Sequence, residues 1–365
     1  TPEGQPYPGT AEAVNELESV IARNPNHPGA CHYYIHAVEA VRPELAVPCA
    51  ERLAKLMPGV GHMVHMPAHI YVRVGRYNDA AESNVHAIHT DETFVDGIPQ
   101  PTVYSLAYYP HNIHFLAFVS TMAGRSAQAI DAARTLKSKI NMDVAPAVGM
   151  LQEMVPYYAL TLTTFGRWDE VLAEPLPPAT MQFPRVMAHY ARGVAFAARG
   201  DEASAKIALD SVMAIGRAYP ADGEFSAPIS IAVHALMGEI ATRAGRHAEA
   251  IPHFQEAVKI EDAGLYFEPP KWYYPIRESL GATLLKAGMP LVQSLDILRQ
   301  RLTNPVFKAV LDDVHEKVRG GAALSDAFGV HADLFSGVYT ASLVAGERSG
   351  SLDTVLRRFV AYSKV

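Results

Sequence analysis

Stretches whose apolar residues recur every three to four positions alternate along the chain with more charged stretches of the same period, and a glycine separates the two members of each pair. HPGACHYYIHAVEA, MPAHIYVRV, PHNIHFLAFVSTM, RVMAHYARGVAFA and ISIAVHALMGEIAT are first members; HAEAIPHFQEAVKIED is a second member. That period predicts amphipathic helices, and no alternating run of useful strand length competes with it. The joint is a recurring phrase: VGRYNDA from residue 74, AGRSAQA from 123, FGRWDEV from 165, AARGDEA from 197 and AGRHAEA from 244, with AGMPLVQ from 287 an altered copy. Successive glycines of the phrase lie 34 to 49 residues apart. A period of that length predicts helical hairpins stacked into a solenoid, in which each pair leaves an apolar face that only its neighbours cover. Glycine suits the joint because the chain turns there through a left-handed conformation that side chains resist.

With these phrases, residues 25–287 resemble a tetratricopeptide-repeat (TPR) protein. HPGACHYYIHAVEA, GHMVHMPAHIYVRVGRY, YYPHNIHF and EPPKWYYPIRESLGATLLKAG resemble a His-rich bacterial subgroup of that superfamily. The resemblance implies a concave groove lined by the first helix of each pair and open to a protein or peptide partner. Spacings above 34 residues depart from the regular repeat.

The pattern changes near residue 290. Only Pro305 of 26 prolines lies beyond Pro290, and only His315 and His331 of 16 histidines do. AGMPLVQSLDILRQRLTNPVFKAVLDDVHEKVRGGAALSDAF, followed by LFSGVYTASLVAGERSGSLDTVLRRFVAY, is similar to the cytoplasmic helical domain of the type II secretion and type IV pilus inner-membrane platform (F-type) family. Three motifs carry the likeness: the Gly-Met-Pro-Leu-Val start at 288, Gly-Gly-x-x-Leu-Ser at Gly320 to Ser325, and Gly-Glu-x-Ser-Gly-x-Leu at Gly346 to Leu352. The likeness implies a bundle that docks other platform subunits, although the family's membrane helices and second domain copy have no counterpart in this sequence. Glu347 is expected to secure a helix turn. The whole chain is therefore expected to be all-α: a segment 1–24, a TPR-like solenoid 25–287, and a small bundle 288–365 whose opening helix, RESLGATLLKAG, doubles as the last repeat helix.

Charge narrows the partners. A net charge of -7 with no Lys/Arg cluster excludes a nucleic-acid partner bound through a basic stripe. Two cysteines, Cys31 and Cys49, make no disulfide framework and favour a reducing compartment. No apolar run reaches the roughly 18 residues of a membrane span, and Thr1 opens a polar stretch without a signal-peptide pattern. A start without Met is what trimming leaves. The expectation is a soluble chain in the cytoplasm, peripheral to the inner membrane if the tail docks there.

The candidate chemistry is imidazole. Ten of the 16 histidines fall between His27 and His114. Three helices are predicted to begin at Pro28, Pro67 and Pro110, because proline's missing N–H costs nothing in a first turn. On the first, His32, His36 and Glu39 share a face. His69 lies in the first turn of the second, with His62 and His65 in the approach to it, and His111 and His114 are at i and i+3 on the third. Brought together by stacked hairpins, these eight side chains would suit Zn, Fe, Ni or Cu, with Met63 and Met66 admitting copper. An N-terminal helix position keeps imidazole neutral and able to ligate.

The plainer reading, in which histidines cap helices or pack beside tyrosines, stays open. The tyrosines at 33, 34, 108, 157, 158 and 273 are expected mainly to pack between hairpins, and Glu268, Arg277 and His189 to form salt bridges or caps. No HExxH, CxxC, GxSxG, P-loop or GxGxxG pattern is present. Three functions remain: a metal-holding repeat scaffold, a metal-dependent hydrolase or oxidase in which a tyrosine or Glu39 carries protons, and a metal-free scaffold for a secretion or pilus assembly.

Overall fold

A computed structural model describes residues 6–97, 102–288, 292–293, 295–296, 305–331, 335 and 337–350. All regular structure among them is helical, so the chain is all-α as expected. Residues 289–291 of the first tail motif and Leu352 of the last lie outside the described residues. The chain divides into two compact units, residues 1–233 with 260–274, and residues 234–259 with 275–365. The compositional change near 290 thus falls inside the second unit.

The first unit opens with α1 (Thr10–Arg23), α2 (Pro28–Val38), α3 (Val47–Leu56), α4 (Gly61–His65), α5 (Pro67–Arg73) and α6 (Tyr77–Val95). There follow α7 (Tyr109–Met122), α8 (Ser126–Lys139), α9 (Gly149–Met154), α10 (Tyr157–Thr164), α11 (Trp168–Ala173), α12 (Gln182–Ala198) and α13 (Glu202–Ala218). Packing runs between near neighbours in sequence: α1 on α2, α2 on α3, α4 and α5 on α6, α6 on α7, α7 on α8, α10 on α8 and α12, and α12 on α13. Within the segment before residue 25, α1 packs on α2. Helix α7 is apolar on every side and almost wholly buried, which is what a helix covered all round requires.

Each repeated phrase closes a helix in one way. Gly75, Gly124, Gly166, Gly200, Gly245 and Gly288 all have φ between 70° and 82°. At the first, the Arg76 amide donates to Tyr71 O at 2.7 Å and the Gly75 amide to Val72 O at 3.4 Å. This pair of bonds satisfies carbonyls that the end of α5 would leave orphaned. The same long bond recurs from Arg125 to Ser120, Arg167 to Leu162, Asp201 to Phe196 and Arg246 to Ala241. The period seen in the sequence is thus a period of helix stops.

Helix α14 (Ser226–Arg243) runs from the first unit into the second, where α15 (His247–Asp262, of which 247–259 belong here) and α16 (Ile276–Lys286) precede α17 (Pro305–Arg319), α18 (Leu324–Gly329) and α19 (Gly337–Ser349). Leu295, Val310, Leu311, Val314, Leu324, Ala327, Phe328 and Leu343 form the core of its C-terminal part. No described helix is long and apolar enough to cross a membrane.

Candidate metal centre

The prolines start helices as the sequence implies: Pro28 and Pro67 are the first residues of α2 and α5, and Pro110 is the second of α7. Residues 62 and 65 lie in the approach to α5, and that approach is itself helical. They occupy α4, and Met66, itself helical, passes the chain from α4 into α5. His62, His65 and His69 consequently follow one another at i, i+3 and i+7 along one face. Two of the ten early histidines have plain structural or surface roles nearby: His27 caps α2 by accepting from the Ala30 amide at 3.1 Å, and His89 accepts from Thr93 through its carbonyl.

Six of the candidate imidazoles converge. His65 Nε2 lies 2.8 Å from His69 Nε2 and 3.2 Å from His111 Nε2. His32 Nε2 lies 3.1 Å from His62 Nε2, and His36 completes a group whose ligand atoms all fall within 4.8 Å of one another. Three imidazole nitrogens around one ion, each about 2.0–2.1 Å from it, sit roughly 3–3.5 Å apart. Glu39, the residue that ends α2, stands between the groups, with Oε1 3.3 Å from His36 Nδ1 and Oε2 2.9 Å from His69 Nδ1. The second approach is close but not aligned for a hydrogen bond, so Glu39 Oε2 and His69 Nδ1 are both buried without a hydrogen-bond partner. Their attraction is chiefly that of a carboxylate for an imidazole.

The structure does not bring His114 to the others. Three residues beyond His111 it is turned about 60° round α7, enough for its ring to meet Tyr157 edge-on at 4.1 Å between centroids instead. Burial pushes it down to about 3, so it is a neutral core histidine. On the cluster side the next turn instead supplies Phe115, whose ring packs against His65, His69 and His111.

Burial also drives His65 and His111 far below the usual histidine range, with neighbouring imidazoles adding to the effect. It takes His32 and His62 to about 4. These rings are neutral at pH 7, the form that ligates. His69 is the exception: burial lowers it, but the Glu39 carboxylate outweighs burial and the net shift is upward. Glu39 shows the reciprocal effect, because His36 and His69 overcome its desolvation and hold it at about 2.

Groups beyond the eight candidate ligands also surround the cluster. Asn84 Oδ1 accepts from His65 Nδ1 at 2.7 Å, and Asn84 Nδ2 is committed to Ala80 O at 2.8 Å, which fixes the amide orientation. Tyr104 accepts from the His62 amide at 3.1 Å while donating to Asp91, and Asn112 donates to the other Asp91 oxygen at 2.7 Å. Glu268 does join the cluster: its side chain is 5% exposed, Oε2 lies 3.9 Å from His69 Nδ1, and Tyr266 donates to its other oxygen. Burial raises Glu268 to about 7. Arg73 ties the end of α2 to α5 by donating to the carbonyls of Glu39 and Ala40, both at 3.2 Å. Cys31 and Cys49 are buried free thiols.

In the second unit the tail motifs meet each other. Glu347, from Gly-Glu-x-Ser-Gly, accepts from the Leu324 amide and from the amide and hydroxyl of Ser325, the Leu-Ser of the central motif. It caps the start of α18, the securing role expected of it. Residues 280–364 match the family model described as "Type II secretion system (T2SS), protein F". The chain is 44% identical over 81 residues to a type IV pilus assembly protein PilC of Myxococcus xanthus, covering 22% of this chain and 19% of that protein. A PilC of Thermus thermophilus is 41% identical over 81 residues, 22% of this chain and 20% of the relative. A type II secretion system protein F of Vibrio cholerae is 36% identical over 83 residues, 23% of this chain and 20% of the relative. The chain spans about a fifth of the length of the curated relatives it matches. The C-terminal part therefore resembles one piece of a secretion or pilus platform protein, and the match does not reach the histidine cluster.

Proposed function

We propose that the first unit is a TPR-like repeat scaffold that holds a first-row transition metal, Zn, Fe, Cu or Ni, through the Nε2 atoms of His65, His69 and His111. The observation that carries this reading is the assignment of ring protons. His65 Nδ1 faces an amide oxygen and so carries the proton, which leaves Nε2 with a bare lone pair. His69 Nδ1 faces the Glu39 carboxylate, which favours the proton on that nitrogen too. Two lone pairs then confront each other at 2.8 Å, with that of His111 at 3.2 Å from the first. A cation between them turns this repulsion into ligation. Carboxylate and amide partners behind metal-bound imidazoles are the usual means of fixing tautomer and orientation.

Three imidazoles leave a fourth position for water or substrate, the arrangement of catalytic rather than structural zinc. That favours metal-assisted hydrolysis or oxidation over a purely structural ion, with Glu268, raised to about 7, as a nearby proton carrier. The repeat helices offer a groove for a protein or peptide. The likeness of the tail to protein F and PilC segments supports a docking role toward platform-type subunits, for a chain in the cytoplasm at the inner membrane surface.

The test is metal analysis of protein purified without a histidine tag. Bound transition metal that is lost in His65→Ala and His69→Ala supports the reading. Its absence from the unaltered protein, after incubation with Zn(II) as well, contradicts it and leaves a protonated His69 as the bridge between the rings.

A further inference from the structure

We propose that the cluster holds two metal ions, the second on His32, His36 and His62, with the single carboxylate of Glu39 orienting one ligand of each site. The inference rests on the metal-holding reading of the first unit and adds a second site to it.

The outer group repeats the geometry of the inner one. His32 Nε2 and His62 Nε2 lie 3.1 Å apart, as close as the inner nitrogens, and come from α2 and α4. His36, one turn after His32 on α2, has its ring 5.0 Å from that of His32 and 6.4 Å from that of His62. His36 Nδ1 faces Glu39 Oε1 at 3.3 Å, so Nε2 is the nitrogen left for an ion. Glu39 Oε2 faces His69 Nδ1 in the inner group. One oxygen thus sets the tautomer of an outer imidazole and the other that of an inner imidazole. Apart from the Glu268 carboxylate, 3.9 Å from His69 Nδ1, the other groups of ligand type in contact are imidazoles: the His62 and His65 ring centroids are 6.2 Å apart, and those of His36 and His69 are 5.4 Å apart. The two groups therefore adjoin, and ions in them would be neighbours.

The alternative use of Glu39, as a direct ligand with His36 and His69, occupies the same atoms. It requires His69 to present Nδ1 to the ion, although Nε2 is the nitrogen that meets His65 Nε2. The shared-orienter arrangement uses every imidazole nitrogen that faces another ring and leaves none of them opposed.

The groups differ in access. His65 and His69 are buried, whereas the His36 side chain is 39% exposed and His32 and His62 are half-buried. The outer ion exchanges with solvent and the inner ion does so slowly. A six-imidazole pair with one ion near solvent is built to bring a small oxygen ligand, such as water, hydroxide or dioxygen, onto a two-metal centre.

The experiment titrates the full-length, metal-stripped chain with Co(II) and with Zn(II), then follows removal by a chelator. Two equivalents bound, one stripped at least tenfold faster than the other, is the expected result. His32→Ala and His36→Ala should each bind one equivalent and lose the fast phase, with helical circular dichroism unchanged. Glu39→Gln should keep two equivalents while both affinities fall by about 10- to 100-fold, the effect of removing an orienting partner. One equivalent in the unaltered chain overturns the second site and leaves the inner one standing. No bound metal overturns the metal-holding reading itself. Complete loss of both ions in a folded His32→Ala protein, or of one ion in Glu39→Gln, overturns the assignment of ligands made here.

Discussion

Gly61, the first residue of the GHMVHM run, shows why this stretch tolerates so little. A Cβ there would stand 1.8 Å from Asp91 Oδ1 and 3.0 Å from Ala87 O. Asp91 cannot retreat, because Tyr104 and Asn112 hold its two oxygens in a fully buried position. Gly61→Ala gains under about 1 kcal/mol of helix propensity and forces apart a buried, hydrogen-bonded carboxylate. A net loss of about 3 kcal/mol is expected in denaturant unfolding followed by Trp168 and Trp272, both in the first unit. His114 gives the second test at this scale. Its folded value of about 3 lies below the unfolded value of about 6.5, so the unfolded chain takes up the proton first. The first unit therefore loses stability as pH falls from about 6.5 toward 3. His114→Phe removes that contribution, so its stability relative to the unaltered protein should rise between pH 7 and pH 5; a pH-independent difference would show that His114 titrates normally. The sequence marks His32, His36, His62, His65, His69 and His111 because they crowd on and just before three helices that begin at prolines. Asn84 and Glu268 are invisible to that logic: each reaches the cluster from another part of the fold, 19 residues from His65 and 199 residues from His69 respectively.

Among elements, helix stops were the most legible feature. Each repeated phrase contains a glycine of positive φ, and at Gly75, Gly124, Gly166, Gly200 and Gly245 two backbone bonds end the helix, a local requirement that sequence displays directly. The short α4 was not legible, because five residues are too few to show a period and Pro67 hides the continuity into α5. His114 was misplaced with the ligands for a related reason: i, i+3 spacing permits a shared face, but α7 is apolar all round and carries no polar stripe to say which face meets the cluster. In the tail, the central and closing motifs are two ends of one cap. Glu347→Ala should cost about 1–2 kcal/mol and remove hydrogen-exchange protection from the Leu324 and Ser325 amides, which it accepts from. Unchanged protection at those two amides would mean that α18 starts without the carboxylate.

For the whole molecule, the two compact units carry different kinds of information. The second contains the segment that matches protein F, and its motifs are recognisable because they are contiguous and tied to each other. The first contains the imidazole cluster, which is assembled from α2, α4, α5 and α7 and so has no contiguous signature. Charge and the lack of a basic stripe bear on the class of partner, but say nothing of where six imidazole rings meet. The account depends on those rings converging on metal. X-ray absorption at the metal edge, on untagged full-length protein reconstituted with Zn(II), tests this most directly. The prediction is a first shell of about 2.0–2.1 Å with the multiple-scattering pattern of about three imidazoles per ion. A shell of oxygen alone, or of one imidazole per ion, would contradict it.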